Sequence, residues 1–301
     1  MLDLVLVLIL SGVQAQTAPQ GTSLLGKPLI PAAPAEAARE RLDANLAAAR
    51  EQYNKNPNDA DAIIWLGRRL AYLGRYRDAI ATFTEGIQKH PTDARMYRHR
   101  GHRYLTVREL DKATADFSKA AELIAGKPDE IEPDGQPNAK NIPTSTLNTN
   151  IFYHLGLAHY LRGEFEPALK AYRECLRFSK NPDMLVATTH WLYMTLRRLD
   201  RPGEARQALE PISADMEIIE NTSYHRLLML YKGTEKADAL ASSLAAGSLD
   251  AVTIGYGLGN WHLYNGRRDQ AMMTFRQIVE GNEAQWPAFG YLAAEAELAR
   301  K

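Results

Sequence analysis

Apolar residues return along this chain at the three- and four-residue steps of amphipathic helices, and the helices come in pairs. Between Ala60 and Asp93, one helical run carries Ile63, Leu66, Gly67 and Leu70 on one face. Leu73-Gly74-Arg75-Tyr76 reads as a tight turn, and a second run carries Ala79, Ile80, Phe83 and Ile87 before His90-Pro91 stops it. Pro91 ends the helix because its ring nitrogen has no proton to donate. Small residues at Gly67 and Ala79 allow two antiparallel helices to approach closely, and Tyr76 and Phe83 fill the space beside them.

The same pair recurs. Gly67, Ala79 and Phe83 return 34 residues later as Gly101, Ala113 and Phe117, with Arg108 standing where the turn glycine Gly74 would repeat. Gly156, Gly163, Ala168 and Tyr172 follow after a further 55 residues, which is one period of 34 plus a 21-residue insertion. Gly259, Gly266, Ala271 and Phe275 lie 103 residues beyond those, three periods plus one. A period near 34 means stacked copies of one small unit, each touching only its neighbours and together presenting a long surface.

On these residues the chain resembles the tetratricopeptide repeat family. The second unit, 94–127, matches at Tyr97, Gly101, Tyr104, Leu110, Ala113, Phe117 and Ala120. The third, 149–182, matches at Phe152, Leu155, Gly156, Gly163, Phe165, Ala168, Tyr172, Leu176 and Pro182. A fourth, 186–218, has Tyr193 at a small-residue position and Pro202 at an aromatic one. A fifth, 219–247, is degenerate, and the sixth, 252–282, recovers the pattern. The expected fold is all-α: a right-handed α-solenoid of helix pairs over 58–301, with a capping helix at 35–57 and a terminal cap from Trp286 to Arg300. Residues 16–34, rich in Pro, Gly and small side chains, read as a flexible linker.

The resemblance implies that the first helix of each pair faces a concave groove where a partner protein or peptide binds. By spacing, Arg68, Tyr72, Arg95, Arg98, His102, Tyr153, Tyr160 and Trp191 fall on that face and are the expected partner-binding residues. Arg100 and Arg103 are expected to point elsewhere. Guanidinium forks match carboxylates, so the expected ligand is an acidic segment or a chain-terminal carboxylate. The chaperone-tail clamps of the family rely on Lys and Asn positions that this chain does not reproduce.

Charge and composition narrow the classes. Lys plus Arg and Asp plus Glu both number 36, so no global basic charge points to nucleic acid. Cys175 is the only cysteine and reads as a buried small side chain. The insertion, 126–148, is acidic at its start, and two roles stand open for it: a mobile polar loop, or a flap pairing with the basic groove. Glu130, Glu132, Asp134, Gly135 and Asn138 fall at calcium-loop offsets, but Asn141 stands where the bidentate Glu belongs. No catalytic or phosphate-loop motif occurs, no cofactor is implied, and the expectation is a non-enzymatic scaffold. The alternatives are a metal-dependent enzyme using His99, His102, His154 and His159 between the second and third units, or a purely structural, self-assembling array.

Leu4 to Leu10 form an apolar run too short to span a membrane, followed by Val13-Gln14-Ala15, which resembles a cleavage site. Residues 1–15 therefore read as a signal peptide, although Met1-Leu2-Asp3 lacks the usual positive charge, and export to a bacterial periplasm is expected.

Overall fold

The computed structural model describes residues 18–242 and 247–300; the expected leader lies outside them. Fourteen α-helices run through the described residues. They are α1 (Glu36–Lys55), α2 (Ala60–Tyr72), α3 (Tyr76–Lys89), α4 (Ala94–Thr106), α5 (Leu110–Ile124), α6 (Leu147–Arg162) and α7 (Phe165–Phe178). They continue as α8 (Pro182–Arg198), α9 (Pro202–Ala208), α10 (Thr222–Lys232), α11 (Ala237–Ser242), α12 (Leu249–Tyr264), α13 (Arg268–Gly281) and α14 (Phe289–Ala299). Helices α1 to α9 each pack on the next, as do α11 to α14, while α10 packs on α8 and α12; first helices of successive units lie side by side, as α2 with α4 and α4 with α6. The chain is the all-α solenoid that the 34-residue period implies.

The repeated glycine has a steric cause. A Cβ on Gly67, Gly156 or Gly259 would come within 2.5–2.6 Å of the ring of Phe83, Tyr172 or Phe275 from the partner helix. Ring and glycine therefore have to recur together. The run Gly255, Gly257 and Gly259 in α12 follows the same rule, because a Cβ at Gly257 would lie 2.4 Å from Leu227 and one at Gly255 3.2 Å from Ile278. First helices other than α10 open on side-chain caps: Asp59, Asp93, Thr146, Asn181 and Ser248 each accept a backbone N–H of the first turn. Second helices need none, because the tight turn before them already bonds to the preceding helix, as Arg75 N–H does to the Leu70 carbonyl.

Two departures from the expected architecture matter. Residues 18–34 form a strap and not a free linker. Strands β1 (Gly21–Thr22) and β2 (Pro28–Leu29) pair antiparallel, and Leu29 is buried. The Arg77 N–H donates to Gln20 Oε1 at 3.0 Å, and Trp286 Nε1–H donates to the Ile30 carbonyl at 2.8 Å. Glycine and proline here make turns, and one apolar anchor is enough to pin them.

The second departure is α14. It is no end cap: every residue from Gly290 to Glu297 is buried, and the helix packs against α6, α12 and α13. It fills the inner curve of the superhelix. Apart from Glu295 and Glu297, both ion-paired, its sequence FGYLAAEAELA is small or apolar on all sides, which is the signature of a helix surrounded by protein. Arg108 bolts it in place. The Arg108 guanidinium bonds both Glu295 carboxylate oxygens (2.9 and 3.1 Å), the Trp286 carbonyl and the Thr106 carbonyl. To do so Arg108 adopts φ 67°, the left-handed turn conformation that Gly74, Gly163 and Gly266 supply in other units. That conformation costs a non-glycine residue about 1 kcal/mol or more, and a buried charge left without its partner costs about 3–5 kcal/mol. Arg108→Gly, although it restores the repeat pattern, should therefore lower unfolding stability by about 2 kcal/mol or more. Urea denaturation followed by circular dichroism checks this, and a neutral or stabilising result would show that the bolt is dispensable.

Candidate functional site

The residues expected to line one continuous groove divide into two groups. Tyr153, Tyr160 and Trp191 are buried, Tyr160 at 0% and Trp191 at 1% exposure, so the expectation of exposed aromatic contacts is corrected. The cause is the tight inner curve, which brings the first helix of the third unit against that of the sixth. The Tyr160 hydroxyl receives bonds from Asn260 Nδ2 at 2.8 Å and from the Tyr256 hydroxyl at 2.9 Å. Trp191 lies edge-on to Tyr160, with centroids 5.3 Å apart, and Tyr153 packs near Phe289 of α14. Arg95 is also diverted, since its guanidinium bonds Asp93 and Asp61.

Arg68, Tyr72, Arg98 and His102 do converge. With Arg103 they form the wall of a cavity of about 270 Å³. Arg103, expected on another face, reaches it because its long side chain lies across the Tyr76 ring, 5.7 Å from the centroid. The insertion is the roof. Glu132 enters between the helices with Oε2 3.0 Å from Arg98 Nε and Oε1 3.6 Å from His99 Nε2, and Asn150 Nδ2 donates to the same Oε2 at 3.0 Å. Arg98 Nε and Glu132 are close but poorly aligned, so they attract as charges while the buried Nε–H lacks a hydrogen-bond acceptor. The Gly135 carbonyl accepts from Arg69 Nη1 at 2.9 Å, which holds the roof down. Gly135 sits so tightly on Tyr72 and Arg68 that a Cβ would fall 2.1 Å from the Tyr72 hydroxyl.

The roof is fastened at its base. Leu147 N–H donates to the Glu130 carbonyl, Asn148 N–H to Asp129, and Asn181 Nδ2 to the Thr144 carbonyl. Asp183, which sequence reasoning passed over, is 1% exposed and accepts the backbone N–H groups of Ile219, Glu220 and Asn221. It thereby fixes Glu220 at the pocket mouth, where Glu220 accepts the Thr144 hydroxyl.

Charge is unevenly distributed across the pocket. Glu132 is the one carboxylate among its inner residues, while Asp134 and Glu220 stand at the exposed mouth. Among the described residues, Arg68 bonds only the Tyr72 hydroxyl, at 3.3 Å, and stacks on Trp65. Burial, with a further push from Arg98 and Arg68 against the pull of Tyr76 and Tyr72, brings the Arg103 pKa down to about 10. The pocket histidines are neutral: burial takes His99 and His102 well below their usual range and His154 down to about 3. The His102 and His154 rings lie 4.5 Å apart, tilted by 37°, but no group of three or more His, Cys, Asp or Glu side chains is placed to hold a metal ion among the described residues.

A tetratricopeptide repeat family model matches residues 149–182, which are the third unit. That unit is similar to a tetratricopeptide repeat. Human tetratricopeptide repeat protein 13 is 31% identical over 108 residues, 36% of this chain and 10% of that protein. The chain thus spans about a tenth of the length of that curated relative. Among solved structures, a tetratricopeptide repeat protein from Parabacteroides merdae aligns with a TM-score of 0.49 at 13% identity, covering 85% of this chain and 94% of that one. YrrB, described as having an unusual peptide-binding site, aligns with a TM-score of 0.45 at 14% identity over 77% of this chain and 91% of its own. PilF of Pseudomonas aeruginosa aligns at 0.47 and 15% identity, over 82% and 89%.

The buried histidines make stability depend on pH. His190 is a clear case: it lies between Tyr224 and Tyr231, neither ring nitrogen has a partner, and burial takes its pKa to about 3. The unfolded chain, with histidine pKa near 6.5, binds the proton that the folded chain refuses, so stability falls as pH drops from about 6.5 toward 3. Each such histidine costs about 2 kcal/mol at pH 5 relative to pH 7. His190→Phe should shrink that difference by about 2 kcal/mol, measured as urea midpoints at the two pH values; an unchanged difference would refute the assignment.

Proposed function

We propose that this protein is a non-enzymatic scaffold that binds a polypeptide partner, with an acidic side chain or terminal carboxylate of that partner entering the roofed pocket. The tetratricopeptide repeat fold supports the general class. The observation that carries the finer reading is the convergence of three guanidinium groups on one cavity, with a single inner carboxylate between them. Guanidinium forks left without acids, in a partly desolvated wall, favour an incoming oxyanion more strongly than the same groups in open water. Arg68, Arg98 and Arg103 supply the charge, Tyr72 and neutral His102 supply directional contacts, and Arg95 belongs to the surface ion pairs instead.

Export to the periplasm, expected from residues 1–15, belongs to the same proposal. Mass spectrometry of the protein from its native host should find a mature chain beginning at Gln16; an intact leader would reject it.

Binding separates the roles of the arginines. Losing one charge-assisted contact costs about 1.5–3 kcal/mol, which is about 10- to 150-fold in affinity. Arg68→Glu should weaken binding of acidic peptides by at least about tenfold, while Arg95→Glu, at a position already neutralised by Asp61 and Asp93, should change it less than about twofold. Fluorescence anisotropy of a labelled acidic peptide pool reads both, and equal losses for the two variants would return the site to the open surface. Binding should also weaken as salt rises.

A further inference from the structure

The inner wall of the pocket carries more positive charge than a carboxylate can match. Arg98 is engaged by Glu132, which arrives with the insertion and is held there by Asn150. Arg68 and Arg103 line the same cavity with no carboxylate bonded to either among the described residues. Other arginines of the first helices are paired with acids, Arg95 with Asp93 and Asp61, Arg100 with Asp116, and Arg162 with Asp111 and Glu164, while Arg69 and Arg197 donate to the Gly135 and Tyr264 carbonyls. What sets Arg68 and Arg103 apart is that both line one roofed cavity with neither bonded to a backbone carbonyl or a carboxylate among the described residues.

The two acidic groups near the cavity do not cancel it. Asp134 and Glu220 are exposed at the mouth, where water screens them, and Glu220 is already bonded to Thr144. Around the unpaired couple stand further donors for oxyanion oxygens: the Tyr72 hydroxyl, the Ser145 hydroxyl and the His102 ring. The remaining seat thus offers two formal positive charges and several neutral donors within about 270 Å³, a space that suits one group and not a length of chain. A carboxylate brings one negative charge and leaves one guanidinium uncompensated in a desolvated wall. A phosphomonoester brings close to two, with three acceptor oxygens.

We propose that the seat between Arg68 and Arg103 takes a phosphomonoester, the doubly charged oxyanion, in preference to a carboxylate. This rests on the reading that the pocket receives an anionic group, and it deepens that reading by naming the group. Two sources present the same chemistry: a phosphorylated side chain of a partner protein, or a small phosphorylated metabolite. Glu132 then acts as the fixed counter-charge that keeps Arg98 from claiming the ligand alone.

The test uses the full chain and three fluorescent peptide pools with the same degenerate flanks and a central phosphoserine, Glu or Ser, together with inorganic phosphate and glycerol phosphate as free probes. The phosphoserine pool should bind at least about tenfold more tightly than the Glu pool, and the Glu pool more tightly than the Ser pool. Arg103→Met should reduce the phosphoserine advantage to about twofold or less, with circular dichroism confirming the fold. Arg68→Met, at a half-exposed position, is the second variant should Arg103→Met not fold. If both free phosphates bind and lose affinity in these variants while no peptide pool binds, the seat stands with a small metabolite as its ligand, and the polypeptide reading falls. If the Glu pool binds as tightly as the phosphoserine pool, the polypeptide reading stands and the phosphomonoester proposal falls. If no phosphate probe binds, the proposal is overturned.

Discussion

Closure of this solenoid is anchored by a buried ion pair, Arg108 with Glu295, backed by Arg198 with Glu297. A solenoid of stacked helix pairs has no intrinsic reason to contact itself beyond nearest neighbours. Here a residue in the turn of the second unit reaches a carboxylate 187 positions away, and both side chains are almost fully enclosed. The pair tolerates burial because its remaining donors are used: Trp286 and Thr106 carbonyls accept from the same guanidinium. Such a pair adds little net stability against an apolar alternative but is costly to break from one side. It selects one arrangement, with α14 inside the curve and the strap of residues 18–34 laid across the junction.

Filling the curve in this way reassigns the chemistry of the first helices. In the later units, their tyrosines, Trp191 and His190 become core, joined by a hydroxyl network through Tyr160, Tyr256 and Asn260. In the second unit α14 reaches Arg108 and His102, but Arg68, Arg98 and Arg103 keep access to a cavity. The insertion then supplies what an open groove lacks: walls that exclude water, one counter-charge, and a mouth bordered by acids. Low local dielectric makes the guanidinium groups both more expensive to leave unpaired and more effective when paired.

Legibility followed the range of the interaction. The helix pairs, their turns and the glycine–ring contacts depend on residues within one period, and spacing exposed them. Arg108 was visible as the one turn position lacking glycine in an otherwise regular unit, but its partner was too distant in the chain for spacing to find. Arg103 was assigned to another face because helical-wheel geometry places Cα atoms and not the ends of long side chains. Glu132 lay in a segment whose acidity suggested pairing with the groove without selecting Arg98.

The amino-acid sequence by itself determined the repeated unit: where each helix starts, which small residue meets which ring, and hence that the units stack. Those are contacts between neighbours, encoded by periodic residues and strong local sterics. Only the tertiary structure decided which side of the stack stays open. That choice turns on how tightly the superhelix curls and whether the last helix enters it, and both arise from single long-range contacts that leave no period to read.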